Sequence, residues 1–576
     1  MALVHNIMNF PPSSRPVTSV FVRPRKIINY NKLSRRLSSQ QQCIITHEYD
    51  QLQQYPTRDF SAHYEQRLED VRRLLEIDLL NDESLILVDA IQRLGISRHY
   101  KEEIHAIIEQ HHLMKTHGRR GTHKFEYCRS LRNVSLSFRL LRQQGYHVSA
   151  AVSKTSTGIL RGTLKQDIKG LLELFEATHV SFEGEIILDR AQDFSRQHLA
   201  NVMDHNKYWS NIVRTRLMHP YQKSIPRMME RNFISGDFYC MNNVWGSTLW
   251  ELAEMDLLVG RCVYQEELAR FSKWWSSLGL TEELKLARSQ PLKWYTWSMA
   301  LLMDHLSLSQ LRLQISKSIA FIYIIDDIFD LYGTPHELSA FTDAIDKWDY
   351  ASINMLPNYM KSCYKALLDT TNEISKTVYE KYGYDPINDL KQTWKDLCRA
   401  FLVEAKWFGS GDWPGPEEYL DNGKVSSGVH VVLVHLFHLL GLGTSRAHRN
   451  GTYLKALSTV IISCVATILR LWDDLGSAKD EYQNGNDGSY VEYYMREHSD
   501  LTRGQAREHV INMIESEWKI LNKACFDLDR SSPSLIFQEA SLNLARMVPL
   551  MYGYDENQRL PILHQFLEHV LFVPTS

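Results

Sequence analysis

From about His47 onward, apolar residues recur at three- and four-residue spacing and show no sustained alternation. Tyr64 to Ile77 and Ser84 to Leu94 each carry one apolar stripe, and Gly95 supplies a stop for the second. Further amphipathic segments cover Ser130 to Gln144, Ile168 to Ala177, Asp189 to His205 and Thr248 to Trp275. No hairpin signal interrupts them, so the pattern predicts an all-α chain. Loops stand out mainly in the second half, at Tyr332-Gly-Thr-Pro, Gly409 to Pro416 and Asn484 to Ser489. No flexible linker marks a boundary. The best place for one lies between Phe238 and Trp250, which predicts two helical domains packed tightly together, over 47–245 and 246–576.

Length agrees with this division, because 576 residues exceed one ordinary core. The longest apolar stretch, Leu457 to Leu469, is interrupted by Ser458, Thr459, Ser463 and Thr467, and reads as a buried helix rather than a membrane span. Eight cysteines without a Cys-x-x-Cys pair argue against a zinc ribbon or a disulfide scaffold. Charge is unevenly spread. Residues 1–46 hold seven basic side chains and no acid, so the net −3 of the whole chain becomes −10 over the rest, and a nucleic-acid partner is not expected. That leader is also rich in Ser, Pro and Asn and lacks a secretory hydrophobic core. It reads as a plastid transit peptide, with a cytosolic protein as the alternative if the leader does not function.

One apolar run, Phe321-Ile-Tyr-Ile-Ile, ends in Asp326, Asp327 and Asp330. On a helix, Asp326 and Asp330 stand one turn apart with Asp327 beside them. Such a group is costly to desolvate without a cation, and hard carboxylate oxygens suit Mg²⁺ or Mn²⁺. A second run ends in Arg470-Leu-Trp-Asp473-Asp474-Leu-Gly-Ser477-Ala-Lys-Asp-Glu481. Asp473, Ser477 and Glu481 fall at i, i+4 and i+8 of one helix, with Arg470 on the same face. Two helices with oxygen ligands at this spacing can clamp divalent cations between them. An arginine beside them suits phosphate oxygens, so the chemistry implied is metal-assisted departure of a diphosphate. The carbocation left behind needs an apolar, aromatic wall.

These residues resemble those of plant class I terpene synthases: Asp326-Asp-Ile-Phe-Asp330 looks like their DDxxD motif, and Asp473 to Glu481 like their (N/D)Dxx(S/T)xxxE motif. The resemblance extends over nearly all of the chain after the leader. It implies an N-terminal α-barrel-like domain and a C-terminal α-bundle holding three Mg²⁺ ions. Asp326, Asp327 and Asp330 would serve one metal side, Asp473, Ser477 and Glu481 the other, and Arg470 would bind diphosphate. Where the family carries Arg-x-Arg upstream, this chain has Arg288-Ser-Gln290, so only Arg288 carries over as charge. Trp297 matches a pocket-wall position and Tyr552 a tyrosine of a C-terminal pocket motif.

The tandem arginine motif of many cyclising monoterpene synthases is missing, and no DxDD occurs. In this the chain is similar to the linalool/nerolidol synthase group. The expected activity is conversion of geranyl diphosphate to linalool by a monomer. Farnesyl diphosphate to nerolidol, both reactions together, or an acyclic olefin such as myrcene or ocimene are the alternatives. A prenyl-chain elongase should carry a second DDxxD and is disfavoured. An inactive helical scaffold is the reading from another class, and the intact motifs speak against it.

Overall fold

The computed structural model describes residues 58–76, 82–117, 130–150, 167–228, 245–411, 413–444, 451–476, 488–527, 532–555 and 559–572. Among these there is no β-strand. Packing divides the chain into Met1–Asp70 and Val71–Ser576, and the described part of the first unit is the opening of helix α1 (Arg58–Glu76). The leader and the residues from His47 to Thr57 lie outside the described residues.

Of the next helices, α2 (Asp82–Arg93), α4 (Leu131–Gln143), α5 (Ile168–Thr178) and α6 (Ile186–His205) follow the predicted segments closely, while α3 (Lys101–His117) and α7 (Lys207–Met218) fall where none was predicted. Ser130, Asp167 and Asn206 cap α4, α5 and α7 by accepting first-turn backbone N–H groups, which is why those helices start there. Gly95 sits at φ 67°, a left-handed conformation that suits glycine, and ends the turn after α2. Among α2, α4, α5 and α7 lies a buried lattice of Asp89, Glu173 and Glu176 with Arg93, Arg139 and Arg216.

The remaining helices are α8 (Gly246–Ser277), α9 (Pro291–Leu301), α10 (Ser309–Asp327), α11 (Pro335–Lys347), α12 (Asn358–Tyr382), α13 (Ile387–Ser410) and α14 (Pro416–Ser426). They continue as α15 (Val429–Leu439), α16 (Gly451–Gly476), α17 (Tyr490–Glu497), α18 (Arg503–Phe526), α19 (Ser532–Tyr552) and α20 (Pro561–Val570). Helix α9 packs on α10 and α19, α19 on α16, α16 on α14, and α14 on α13, whose neighbour is the turn that ends α10. These elements form a ring. Helix α15, with the uncharged sequence Val-His-Val-Val-Leu-Val-His-Leu-Phe-His-Leu, touches α10, α12, α13 and α16 and buries a mainly apolar surface in which His435 and His438 are the polar members. The Leu457 to Leu469 stretch falls inside α16, and no described helix is long and apolar enough to cross a membrane.

Contacts between the early helices and the bundle include polar ones, some of them buried. Asp256 of α8 is fully buried and receives Arg98 at 2.6 Å, His99 at 2.7 Å and Arg227. Gln222 reaches Asn522 of α18 at 3.0 Å, and Lys223 reaches Glu515 at 2.6 Å.

Candidate active site

The ends of α10 and α16 lie in the same ring, and each brings a pair of carboxylates into its last turn: Asp326 and Asp327 on α10, Asp473 and Asp474 on α16. The negative end of a helix dipole is an unfavourable place for an acid. Four such acids near two helix ends therefore call for positive charge, and Arg288 and Arg470 supply part of it.

Arg288 lies in the segment before α9, where Pro291 at the first helical turn sets the helix start. Its backbone N–H and its Nε each donate to Asp327 at 2.6 Å, and Nη2 donates to Asp326. The Tyr332 hydroxyl accepts the backbone N–H groups of Leu286 and Ala287 and so pins this segment to the end of α10. Asp327 is 1% exposed and both its oxygens are occupied by Arg288, whereas Asp326 is about one-third exposed and Asp330 is open to solvent. Burial pushes the Asp327 carboxyl up to about 6 despite Arg288, while Arg288 itself is held well above its usual value by Asp326 and Asp327 against the cost of burial.

After Asp327 the α-helix gives way to one π-turn, Ile328–Tyr332. The sequence alone suggested a continuous α ladder. A π-turn takes more residues per turn, so each step toward Asp330 covers a smaller angle than on an α ladder.

On the second jaw Arg470 donates to Asp474 from Nε at 2.9 Å and from Nη2 at 2.7 Å, and stands 3.8 Å from Asp473. Asp474 is 1% exposed and also accepts the Tyr419 hydroxyl at 2.9 Å and the backbone N–H of Tyr490 at 2.8 Å. Gly423 of α14 makes the arginine's course possible, since a Cβ there would lie 2.7 Å from the Arg470 Cδ. Asp473 is driven up to about 6 by burial, with Arg470 opposing and the nearby charges of Asp474 and Asp326 adding to the rise. Asp326 thus acts across the gap on Asp473: the jaws face each other. Between them, Glu404 of α13 accepts Ser426 at 2.6 Å and Asn422 at 3.2 Å; burial raises its carboxyl while Arg470 lowers it.

Below the charges lies an aromatic wall. Trp297 of α9 is buried and donates Nε1–H to the Tyr323 hydroxyl at 3.1 Å. Tyr552 lies with its ring 6.4 Å from that of Trp297, and burial holds its hydroxyl well above the usual tyrosine value. The Arg288 guanidinium sits 5.5 Å over the Tyr323 ring.

Of the residues expected from the sequence, the structure thus brings together Arg288, Asp326, Asp327, Arg470, Asp473, Trp297 and Tyr552, and Asp330 follows, exposed, on the π-turn. Ser477 and Glu481 lie outside the described residues, as do Asn484 to Asp487. Sequence reasoning did not single out Asp474, Tyr419, Glu404 or Tyr323. Only Asp474 and Tyr323, flanking recognised motif positions, carried any signal. Among the described residues no three His, Cys, Asp or Glu side chains close into a finished metal cage. The donor chemistry nevertheless fits Mg²⁺: hard carboxylates at the negative ends of two facing helices, where a cation is favoured.

Fold and site together define an all-α protein with a double-jawed acidic site over an aromatic wall at one end of a helical bundle. Its sequence matches the terpene synthase N-terminal domain over residues 38–217 and the metal binding domain of the terpene synthase family over residues 276–520. It is 48% identical to a chloroplastic tricyclene synthase of Antirrhinum majus, over 92% of this chain and 89% of that protein. Identity is 43% to an (E)-nerolidol synthase of Cannabis sativa (94% and 97%) and 40% to the chloroplastic S-(+)-linalool synthase of Arabidopsis thaliana (86% of each). Among solved structures, limonene synthase with 2-fluorolinalyl diphosphate superposes with TM-score 0.82 at 30% identity, covering 91% of this chain and 96% of that one. Isoprene synthase of grey poplar, in complex with three Mg²⁺ ions and dimethylallyl-S-thiolodiphosphate, gives 0.80 at 30% identity over 90% and 98%. The chain belongs to the terpene synthase family.

Proposed function

We propose that this terpene synthase ionises geranyl diphosphate and captures the allylic cation with water to give linalool, farnesyl diphosphate to nerolidol being the longer-chain counterpart. The observation that carries the proposal is the pair of facing arginine–carboxylate jaws standing directly on the Trp297, Tyr323 and Tyr552 wall. Mg²⁺ (three ions, or Mn²⁺), held by Asp326, Asp330, Asp473, Ser477 and Glu481, would supply charge neutralisation for the departing diphosphate oxygens.

The chain's own residues do the rest. Arg288, 42% exposed and fixed by Asp326 and Asp327, offers guanidinium N–H groups at the mouth, and Arg470 offers them from the opposite side. Fixed donors aimed at developing negative charge lower the barrier without reorganisation. The aromatic wall excludes bulk water and faces the positive fragment with ring quadrupoles. Gln290 in place of a second arginine leaves the diphosphate less firmly held, which favours early capture over ring closure. We further assign residues 47–245 and 246–576 to the two domains, the second being catalytic, 1–46 to a plastid leader, and the working state to a monomer.

Chloroplastic relatives named for linalool and for tricyclene both support a plastid site of action. The 48% identity to tricyclene synthase also favours a second reading, a cyclic hydrocarbon product. Incubation of the leader-free protein with Mg²⁺ and geranyl or farnesyl diphosphate, followed by chiral gas chromatography, separates the two. A dominant acyclic tertiary alcohol is expected. A cyclic hydrocarbon as main product overturns the assignment.

A further inference from the structure

Tyr323 occupies the seam between the charged jaws and the aromatic wall. It lies on α10 one turn before Asp326 and Asp327, so its ring shares their face of the helix. Arg288, bonded to both acids, covers one face of the ring at 5.5 Å, and Trp294 packs at 6.2 Å. Its hydroxyl accepts the Trp297 Nε1–H at 3.1 Å. That bond uses one lone pair and fixes the oxygen. The hydroxyl's own proton goes to no acceptor among the described residues, and its second lone pair is open. Burial, set against the Trp297 bond and Arg288, pushes the group up to about 12, so it stays protonated at any working pH. Tyr552, the other tyrosine of the wall, has no such fixing donor among the described residues: its ring meets Trp297 at 6.4 Å without a hydrogen bond between them.

A water that is to attack an allylic cation has to sit where the departing diphosphate meets the pocket wall, and has to be held by a group that does not itself react. We propose that the Tyr323 hydroxyl, pinned by Trp297, is the specificity-determining group that positions the capturing water, and so makes the product an alcohol rather than a hydrocarbon.

This rests on the proposed ionisation of a prenyl diphosphate at the same site. The carbon–oxygen bond to the diphosphate breaks heterolytically and the electron pair leaves with the diphosphate. A lone pair of the held water forms the new C–O bond at C3. The proton released passes to a diphosphate oxygen, so that substrate plus water gives tertiary alcohol plus inorganic diphosphate. Without the hydroxyl to hold water, the same cation loses a proton from carbon and gives an acyclic olefin.

The test is the ratio of alcohol to hydrocarbon formed by Tyr323→Phe, which keeps the ring and its packing. Geranyl diphosphate with Mg²⁺ is the probe, and products are counted by gas chromatography against the wild type. The expected result is a fall in that ratio of roughly ten-fold or more, with myrcene-type or ocimene-type olefins rising in its place. Trp297→Phe, which removes the pinning N–H together with part of the indole's bulk, should shift the ratio in the same direction. An unchanged ratio overturns the proposal. So does a shift produced by Tyr552→Phe and not by Tyr323→Phe, or a Tyr323→Phe variant that is folded by circular dichroism yet releases no diphosphate, which would assign the hydroxyl to ionisation. Failure of the underlying reading is a different result: a wild-type enzyme that makes no alcohol from either prenyl diphosphate.

Discussion

Asp474 shows how a neighbour of a metal-motif residue earns a separate role. The stripe at i, i+4 and i+8 points to Asp473, Ser477 and Glu481, and to a reader of spacing Asp474 is a flank. In the fold it is the buried anchor, 1% exposed, tying Arg470, Tyr419 and the backbone of Tyr490 together. Its partner Tyr419 is 55 residues away and Arg288 is 39 residues from Asp327, separations at which no periodicity carries information. Glu404 was illegible for the same reason: a lone acid in an amphipathic helix reads as solvated until Ser426 and Asn422 are seen on it. Replacing Asp474 by Asn keeps the shape but removes the charge that orients the guanidinium. Misplacing a positioned group by about 1 Å costs roughly 100-fold. Steady-state kinetics of Asp474→Asn should therefore show kcat/KM down by about that factor, with helical circular dichroism retained; wild-type kinetics would mean that Arg470 needs no anchor.

The elements were more legible than their junctions. Amphipathic periods located α2, α4, α5, α6 and α8 within a few residues, because a helix that must bury one face writes that need into its sequence. The π-turn at Ile328–Tyr332 left no comparable mark, since the widening is decided by what packs on it: Tyr332 holding the Arg288 segment, and Phe329 lying against Phe341 and Phe401. Gly409 was read as loop, yet α13 runs on to Ser410 and turns only at Gly411, φ 73°. A second glycine tests the packing of α14 on α16. Gly423→Ala would bring a methyl to 2.7 Å from the Arg470 Cδ and 2.9 Å from its Cγ, forcing the arginine stem aside. Alanine favours helix over glycine by about 1 kcal/mol, so folding should not suffer while diphosphate release slows at least ~10-fold. Unchanged release would show that the arginine's course past α14 has no bearing on turnover.

Over the whole molecule, several charged groups are held in ion pairs where the early helices meet the bundle, Asp256 fully buried among them, and this gives stability a pH signature. Asp256 is held well below the usual carboxylate range by Arg227, His99 and Arg98, which outweigh its burial, and Glu515 falls to about 2 against Lys223 in the same way. Depressed carboxylates stabilise fully above their unfolded value of about 4 and lose that contribution as pH falls toward the folded value. His179 and His435, lowered to about 3 chiefly by burial, stay neutral when folded, so their share is complete above about 6.5 and is lost as pH falls from there. Thermal melting followed between pH 7.5 and 3.5 should show an onset that declines gently below about 6.5 and steeply below about 4. A flat profile down to pH 4 would mean that these groups are exposed in solution.

The central claim is that two helices close on one diphosphate. Mg²⁺-dependent release of inorganic diphosphate from geranyl diphosphate, measured for wild type beside Asp326→Ala and Glu481→Ala, tests it most directly. Each variant removes one of the proposed oxygen ligands, and removal of one preorganised electrostatic contact costs roughly 100- to 1,000-fold in turnover. The account predicts turnover in the wild type that stops on chelation, and a loss of at least that size in both variants with their helical content intact. Full release by either variant would contradict it.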